Sequence, residues 1–140
     1  MLCHSEENCT MAVFDIFDVR CQNEWRDHCY YFLNDQKNYT DAQKNCMVMG
    51  ASLVKIDDDT ENSWINFILQ SLHGQNTWIG ANKFGQVKGK WVWVSDNSLL
   101  NYTYWAMYEP SYAFMEECVQ IWTDVFASAS KKYHWNDKQC

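Results

Sequence analysis

The sequence predicts one α+β domain, in which two helices precede short antiparallel sheets and disulfide bonds staple the chain. Helical periodicity covers two segments before residue 75, and the pattern then changes to short runs rich in Val, Ile, Trp and Tyr. Helices followed by separate strands are typical of the α+β class. Seven cysteines in 140 residues indicate an oxidising compartment, in which disulfides persist.

The two helices are predicted from capping signals and from the spacing of apolar residues. The first, about residues 40–49, starts at the capping-box pattern Thr40-Asp41-Ala42-Gln43 and ends before a glycine. The second begins near Asp59 or Thr60, presents apolar side chains on one face, and ends by Gly74.

Four short strands are predicted after the second helix. They are Thr77 to Gly80, Trp91 to Val94, Val119 to Trp122 and Tyr133 to Trp135. Trp91 and Trp93 alternate with Val92 and Val94, so one of the two pairs must face inward. We assign these tryptophans to the core and not to a sugar-stacking surface.

Composition restricts the class of partner. Apolar residues make up 47% of the chain, which is enough for the core of one domain. The formal charge of −7 argues against nucleic acids and anionic membranes, because eleven scattered basic residues provide no positive stripe. No apolar run has the length of a membrane span, so we expect no membrane insertion by this segment, and no signal peptide is visible.

A series of short motifs follows in a specific order between Cys21 and Cys140. They are Cys29-Tyr30-Tyr31-Phe32, Trp78-Ile79-Gly80-Ala81, Trp91-Val92-Trp93, Glu109-Pro110-Ser111, Glu116-Glu117-Cys118 and Trp135-Asn136-Asp137. In this order and spacing the chain resembles the long form of the C-type lectin-like domain. The resemblance implies the C-type lectin-like fold, with a long-loop region that often holds Ca²⁺ and a sugar.

The resemblance also sets the expected domain boundaries. Residues 1–20 are interpreted as an N-terminal extension or stalk remnant, and residues 21–140 as the domain. In the family the chain continues beyond the position of Cys140 into a last strand, whose cysteine bonds the first helix. That strand is missing from this sequence, so the domain is expected to be truncated before it.

Disulfide pairing is expected from the same comparison. Cys21 and Cys29 match the N-terminal hairpin of the long form, and Cys118 and Cys140 match the pair that staples the long loops. Upstream, Cys3 and Cys9 are expected to close a small loop. Cys46 stands at the helix position whose family partner lies on the missing strand, and we predict that it is unpaired.

The resemblance implies a calcium site made by five residues. They are Glu109, Ser111, Glu116, Asn136 and Asp137. Pro110 is expected to follow a cis peptide bond, which makes a tight reversal. Ca²⁺ prefers oxygen ligands, and Ser111 replaces an Asn or Asp of the family pattern. Its hydroxyl is shorter than an asparagine amide, so we expect a site that is weakened or lost.

One acidic segment and one aromatic segment each allow two interpretations. Asp57, Asp58 and Asp59 precede the second helix, where carboxylates favour the N-terminus, and we interpret them as capping groups and not as metal ligands. Tyr112 and Phe114 follow Ser111 and are predicted ligand contacts. Either Phe114 and its neighbours tuck into the core, or they form an exposed patch for a sugar or a protein partner.

The predicted function is that of an extracellular, non-enzymatic binding domain. We expect calcium-dependent binding of a glycan or glycoprotein, and the Glu-Pro motif implies mannose-type preference. The alternative is a calcium-independent module that recognises a protein. No nucleophile or metalloprotease signature is present, so the chain is not expected to be an enzyme. Three Asn-x-Thr sequons, at Asn8, Asn38 and Asn101, suggest a glycoprotein.

Overall fold

The computed structural model describes residues 1–5, 21, 23–72, 76–86, 88–111, 113–123 and 127–140. These residues contain two helices and eight strands, and the strands form two antiparallel sheets. Along the chain the elements are β1 (Leu2–Ser5), β2 (Asn23–Trp25), β3 (His28–Phe32), α1 (Tyr39–Val48), β4 (Ser52–Leu53), α2 (Asp59–Ser71), β5 (Thr77–Asn82), β6 (Val92–Trp93), β7 (Glu116–Ile121) and β8 (Trp135–Gln139). The predicted α+β class with two helices and short antiparallel sheets is confirmed.

The first sheet has the strand order β2-β3-β1-β4. A two-residue hairpin joins β2 to β3, with both Arg26 and Asp27 at positive φ, as a type I′ turn requires. The Cys21–Cys29 disulfide closes this hairpin, as predicted. In the middle of the sheet, Cys3 of β1 lies opposite Tyr31 on one side and Leu53 on the other.

The second sheet has the order β6-β5-β7-β8 and carries the long loops. Its last two strands differ from the prediction, because β7 begins at Glu116 and β8 extends from Trp135 to Gln139. The ladder between these two strands therefore includes Asn136 and Asp137. The Cys118–Cys140 disulfide joins them, as predicted.

The two sheets meet at a main-chain crossing. The N–H of Val54 donates to the carbonyl of Leu2 in β1 at 2.9 Å, and its carbonyl accepts from the N–H of Gly80 in β5 at 2.8 Å. A Cβ atom at Gly80 would lie 2.6 Å from the carbonyl oxygen of Leu53. Only glycine permits an approach this close.

Both helices begin at side-chain caps. Asn38, and not the predicted Thr40, caps α1 by accepting from the N–H of Asp41 at 2.8 Å. This earlier start allows Tyr39 to be fully buried in the first turn. Asp58 caps α2 through the N–H of Glu61, in agreement with its predicted capping role. The predicted end of α2 at Gly74 lies outside the described residues.

The core consists of two clusters. The larger one contains Trp93 and Trp135, whose rings meet edge to face with centroids 5.9 Å apart. The prediction that Trp93 belongs to the core is confirmed, and Trp91 is partly buried against the same cluster. The smaller cluster surrounds Cys46 and includes Tyr39. No helix within the described ranges is long and apolar enough to cross a membrane.

The first five residues differ from the predicted extension. Leu2–Ser5 form β1 in the interior of the first sheet, and Leu2 and Cys3 are completely buried. They therefore belong to the folded domain, although the boundary had been expected at Cys21. The rest of the predicted extension, residues 6–20, lies outside the described residues.

The predicted pairing of Cys3 with Cys9 is wrong, and so is the prediction that Cys46 is unpaired. Cys3 bonds Cys46 across a Cα–Cα distance of 5.5 Å. The physical reason is the position of β1, which brings Cys3 beside α1. The N-terminal strand thus supplies the cysteine that the resemblance assigns to a strand after Cys140. Cys9 lies outside the described residues.

Replacing Cys3 and Cys46 together with Ser should lower the free energy of unfolding by about 4 kcal/mol, because loop-closure entropy grows with the length of the closed loop. This bridge spans 43 residues, whereas the Cys21–Cys29 bridge spans 8. Ser at Cys21 and Cys29 is the matched control and should cost about 2.5 kcal/mol. Urea unfolding followed by circular dichroism measures both losses. Equal losses would contradict the assignment of the long bridge.

Stability should also depend on pH through His4 of β1. Burial, followed by the charge of neighbouring His28, lowers the pKa of His4 from 6.5 to about 4, against the opposing attraction of Asp57. Because the folded-state pKa is depressed, the contribution of His4 is fully present above pH 6.5 and is lost as the pH falls towards 4. At pH 5 the loss should reach about 2 kcal/mol.

Denaturant unfolding at pH 7 and pH 5 tests this dependence. His4→Gln should remove the His4 contribution, so that the variant loses less stability on acidification than the unchanged protein. His134→Gln is the control. His134 directly precedes β8 of the second sheet, so this variant should keep the full dependence of stability on pH. Identical pH profiles for His4→Gln and the unchanged protein would refute the assignment.

Candidate functional site

The predicted ligand residues gather where the loop before β7 meets β8. Glu109, Ser111, Glu116 and Asp137 are connected to one another through hydrogen bonds. Asn136 is buried beside Asp137 on β8.

Ser111 joins two of the carboxylates. Its main-chain N–H donates to Oδ1 of Asp137 at 2.8 Å, and its hydroxyl donates to Oε2 of Glu116 at 2.8 Å. The same hydroxyl accepts from the N–H of Ala113 at 3.3 Å. Ser111 is thus a hydrogen-bond donor to the neighbouring acids. The sequence predicted only that it would be a weak metal ligand, and this donor role was not foreseen.

Glu109 and Asp137 form a second connection between carboxyl groups. Burial, a hydrogen bond with Asp137 and the charges of Asp137 and Glu116 raise the pKa of Glu109, while Lys131 acts in the opposite direction. A nearby negative charge disfavours the ionised form of a carboxyl group. The other oxygen of Glu109, Oε2, is buried and has no hydrogen-bond partner.

The local backbone explains how these groups converge. The peptide bond between Glu109 and Pro110 is cis, as predicted. The N–H of Ala106 donates to the carbonyl of Trp135 at 2.8 Å, which anchors the loop to the start of β8. In the ladder, Val119 of β7 lies opposite Asp137, and the register shifts between Glu116 and Cys118. The loop and the two strands thereby place their acidic groups at one edge of the sheet.

Two β-turns precede the two glutamates. In the first, the N–H of Glu109 donates to the carbonyl of Ala106 at 3.0 Å, and Tyr108 has a φ of 70°. In the second, the N–H of Glu116 donates to the carbonyl of Ala113 at 3.1 Å, and Met115 has a φ of 67°. A positive φ at the third position is the requirement of a type II turn. Each turn therefore ends in a candidate ligand carboxylate.

The side chains at the turn tips point away from the core. Tyr108 is 87% exposed and Phe114 is 92% exposed, and Met107 and Met115 are also exposed. Of the two interpretations of Phe114, burial in the core is therefore wrong and exposure is correct. Tyr112, the other predicted ligand contact in this stretch, lies outside the described residues.

Sequence reasoning missed three residues beside the site. Met107 and Tyr108 form the tip of the first turn, and Lys83 donates from Nζ to the carbonyl of Glu116 at 3.3 Å. The Nζ atom of Lys83 also lies 4.3 Å from the ring centroid of Trp91. One signal was available, because an apolar pair directly precedes each of the two glutamates, which are seven residues apart. No signal in the sequence indicates the position of Lys83.

The donor set fits a hard cation. It contains carboxylate, amide and hydroxyl oxygens, which are the ligands that Ca²⁺ prefers, and the unpaired Oε2 of Glu109 is a buried oxygen that a cation would satisfy. Within the described part of the chain, no three His, Cys, Asp or Glu side chains are arranged as a metal-binding group. The acids are held by Ser111 and by one another in this arrangement.

The chain is similar to known proteins over most of its length. A perlucin-like protein of Mytilus galloprovincialis is 38% identical over 127 residues, which are 87% of this chain and 77% of the relative. Human lithostathine superimposes with a TM-score of 0.72 at 26% identity, over 84% of this chain and 87% of that one. The carbohydrate-recognition domain of the mouse scavenger receptor C-type lectin superimposes with a TM-score of 0.64 at 28% identity, over 80% and 79%.

A sequence model of the family described as the lectin C-type domain matches residues 35–140. The chain spans about half the length of other C-type lectin relatives that it matches. Members of this family are binding modules and not enzymes, which confirms the predicted lack of enzymatic activity. Because the matched region covers most of the chain and includes both glutamates of the site, the chain belongs to the C-type lectin domain family.

Proposed function

We propose that this domain binds carbohydrate through a calcium ion, outside the cell, with a preference for mannose-type sugars. The observation that carries the proposal is geometric: Ser111 joins Asp137 to Glu116, and Oε2 of Glu109 is buried without a hydrogen-bond partner. A buried unpaired oxygen is costly. A divalent cation at this point would satisfy that oxygen.

Five residues would hold the ion. They are Glu109, Ser111, Glu116, Asn136 and Asp137. When bound, Ca²⁺ would supply coordination to two sugar hydroxyls, as the family resemblance implies. Asp137 and Glu116 would supply negative charge at fixed positions. Asp137 is fully buried on β8, and Glu116 is the first residue of β7. The Glu-Pro motif supports the mannose-type preference, again by resemblance.

Ser111 is expected to reduce the affinity of the site. Its hydroxyl donates to Oε2 of Glu116, and this hydrogen bond competes with coordination of a cation by the same oxygen. An Asn at this position would offer an amide oxygen in place of a hydroxyl donor. Extracellular calcium modules bind with dissociation constants of about 10⁻⁴–10⁻³ M, and we expect this domain to lie at the weak end.

The second candidate function is recognition of a protein without calcium. The hydrogen bonds of Ser111 favour it, because they already occupy oxygens of Glu116 and Asp137 that a cation would need. The exposed tips of the two turns would then be the contact surface, since large exposed apolar side chains are frequent anchors of protein interfaces. Calcium-dependent binding that a free sugar abolishes would exclude this alternative.

Isothermal titration calorimetry with CaCl₂ tests the metal site. The unchanged chain should bind Ca²⁺ with a dissociation constant of about 10⁻³ M, and Ser111→Asn should bind at least about tenfold more tightly, a gain of roughly 1.4 kcal/mol. Glu109→Gln should abolish binding, because it removes the negative charge whose Oε2 oxygen is buried without a partner. Glu117→Gln is the matched control, since Glu117 is an exposed neighbour of the site and should retain the original affinity.

Failure of both the unchanged chain and Ser111→Asn to bind, with both proteins folded by circular dichroism, would rule out the calcium site. Binding by Ser111→Asn alone would show that Ser111 has inactivated the site and would favour the protein-recognition alternative. Equal loss of binding in Glu109→Gln and Glu117→Gln would mean that the net negative charge of the domain, and not this set of five ligand residues, attracts the ion.

A glycan array tests the sugar. With millimolar CaCl₂ the domain should retain mannose-type glycans in preference to galactose-type glycans, and EDTA should remove the signal. Glu109→Gln should lose the same glycans, while Glu117→Gln should retain them. Signals that persist in EDTA would contradict the proposed mechanism even if the glycan preference is correct.

A further inference from the structure

One of the three sequons lies in a surface segment between β6 and β7. This segment, Asn101-Tyr102-Thr103, belongs to no helix or strand. Asn101 and Thr103 are exposed, whereas Tyr102 between them and Tyr104 after them are partly buried and pack against the larger core cluster. The two residues that define the sequon therefore both reach solvent.

Two contacts of Tyr102 hold the middle of this segment in place. Its hydroxyl donates to Oδ1 of Asp59, the first residue of α2, at 3.0 Å. Its ring meets the fully buried ring of Trp135 edge to face, with centroids 5.8 Å apart. The exposure of Asn101 and Thr103 is consequently a fixed feature of the fold, because the residue between them is held against the core.

The side chain of Asn101 differs from that of Asn38, which begins another sequon. No hydrogen bond joins the Asn101 side chain to another residue in the described part of the chain. Asn38 uses both of its polar atoms to cap α1, since its Oδ1 accepts from the N–H of Asp41 at 2.8 Å and its Nδ2 donates to Oδ2 of Asp41 at 3.0 Å. A large group on Nδ2 is therefore accommodated at Asn101 without loss of a contact. The third sequon, at Asn8, lies outside the described residues.

We propose that Asn101 carries an N-linked glycan. Asn-x-Thr acceptors are modified in surface segments of proteins that pass through the secretory pathway, and the disulfide bonds of this chain are typical of the same compartments. The inference does not depend on the proposed function, because a glycan at Asn101 is detected whether or not the domain binds calcium.

The modification is a group transfer from a lipid-linked pyrophosphate oligosaccharide. A bond forms between Nδ2 of Asn101 and C1 of the first N-acetylglucosamine, and the bond between that C1 and the pyrophosphate oxygen breaks. The lipid pyrophosphate leaves with the electron pair, and the amide nitrogen loses one proton. The glycan is bulky and hydrophilic, so it keeps the surface around Asn101 in solvent and opposes a close protein contact there.

Peptide mass spectrometry of the full chain, secreted from mammalian cells behind a cleavable leader, tests the site. Peptide-N-glycosidase F converts a glycosylated Asn to Asp, and an untreated sample corrects for spontaneous deamidation. Asn101 should be converted in the unchanged chain. Thr103→Val should abolish the conversion although Asn101 is still present, because the acceptor requires a hydroxyl at the third position. Thr103→Ser is the matched control and should retain it.

Two outcomes of this experiment would overturn the proposal. In the first, Asn101 of the unchanged chain is secreted without a glycan. In the second, conversion of Asn101 persists in Thr103→Val, which would mean that the sequon is not what directs the modification.

A stability measurement separates an acceptor asparagine from a structural one. In the unglycosylated chain, made in bacteria and refolded, Asn101→Ala should leave the melting temperature unchanged, because its side chain holds no other residue. Asn38→Ala should lower it by about 4 °C through loss of the helix cap. An equal decrease in the two variants would show that Asn101 has a structural role and would contradict the unengaged side chain on which the proposal rests.

Discussion

The structure depends on the close approach of two main chains at Gly80. Because this residue has no Cβ, its N–H reaches the carbonyl of Val54, and its own carbonyl accepts from the N–H of Val94 at 2.8 Å. Val54 is in turn bonded to Leu2. A continuous series of main-chain hydrogen bonds therefore runs from the first sheet into the second. Any larger residue at position 80 would force these backbones apart, since the neighbouring atoms are carbonyl oxygens and not adaptable side chains.

The candidate site lies on the second sheet, where β7, β8 and the loop before β7 carry its residues. Its acids are close enough to repel one another, which helps to raise the pKa of Glu109, and the donor groups of Ser111 offset part of the repulsion between Glu116 and Asp137. A cation would serve the same purpose with a stronger field. A single side chain, Ser111, holds two of these acids through its hydrogen bonds.

The sequence predicted the architecture because its motifs are local and ordered. The positions of Glu109, Glu116 and Asp137 follow from short motifs, and Ser111 joins the last two in the structure. The partner of Cys46 could not be predicted in this way, because it depends on where a distant strand packs. The helix start at Asn38 was missed because Asn and Thr both make good caps, and the burial of Tyr39 decides between them. The sequence did not predict the type II turns, because Tyr108 and Met115 occupy the position at which glycine normally marks such a turn.

The central position of β1 has a consequence for folding during synthesis. Of the strands of this domain β1 is synthesised first, yet it lies between β3 and β4, which follow about thirty and fifty residues later. The first sheet therefore cannot close until most of α1 and β4 have been made, and its contacts raise the contact order of the domain. Until then the apolar face of Leu2 has no partner in the nascent chain. Chaperones that hold an N-terminal segment in an extended form would consequently favour the native sheet over premature pairing.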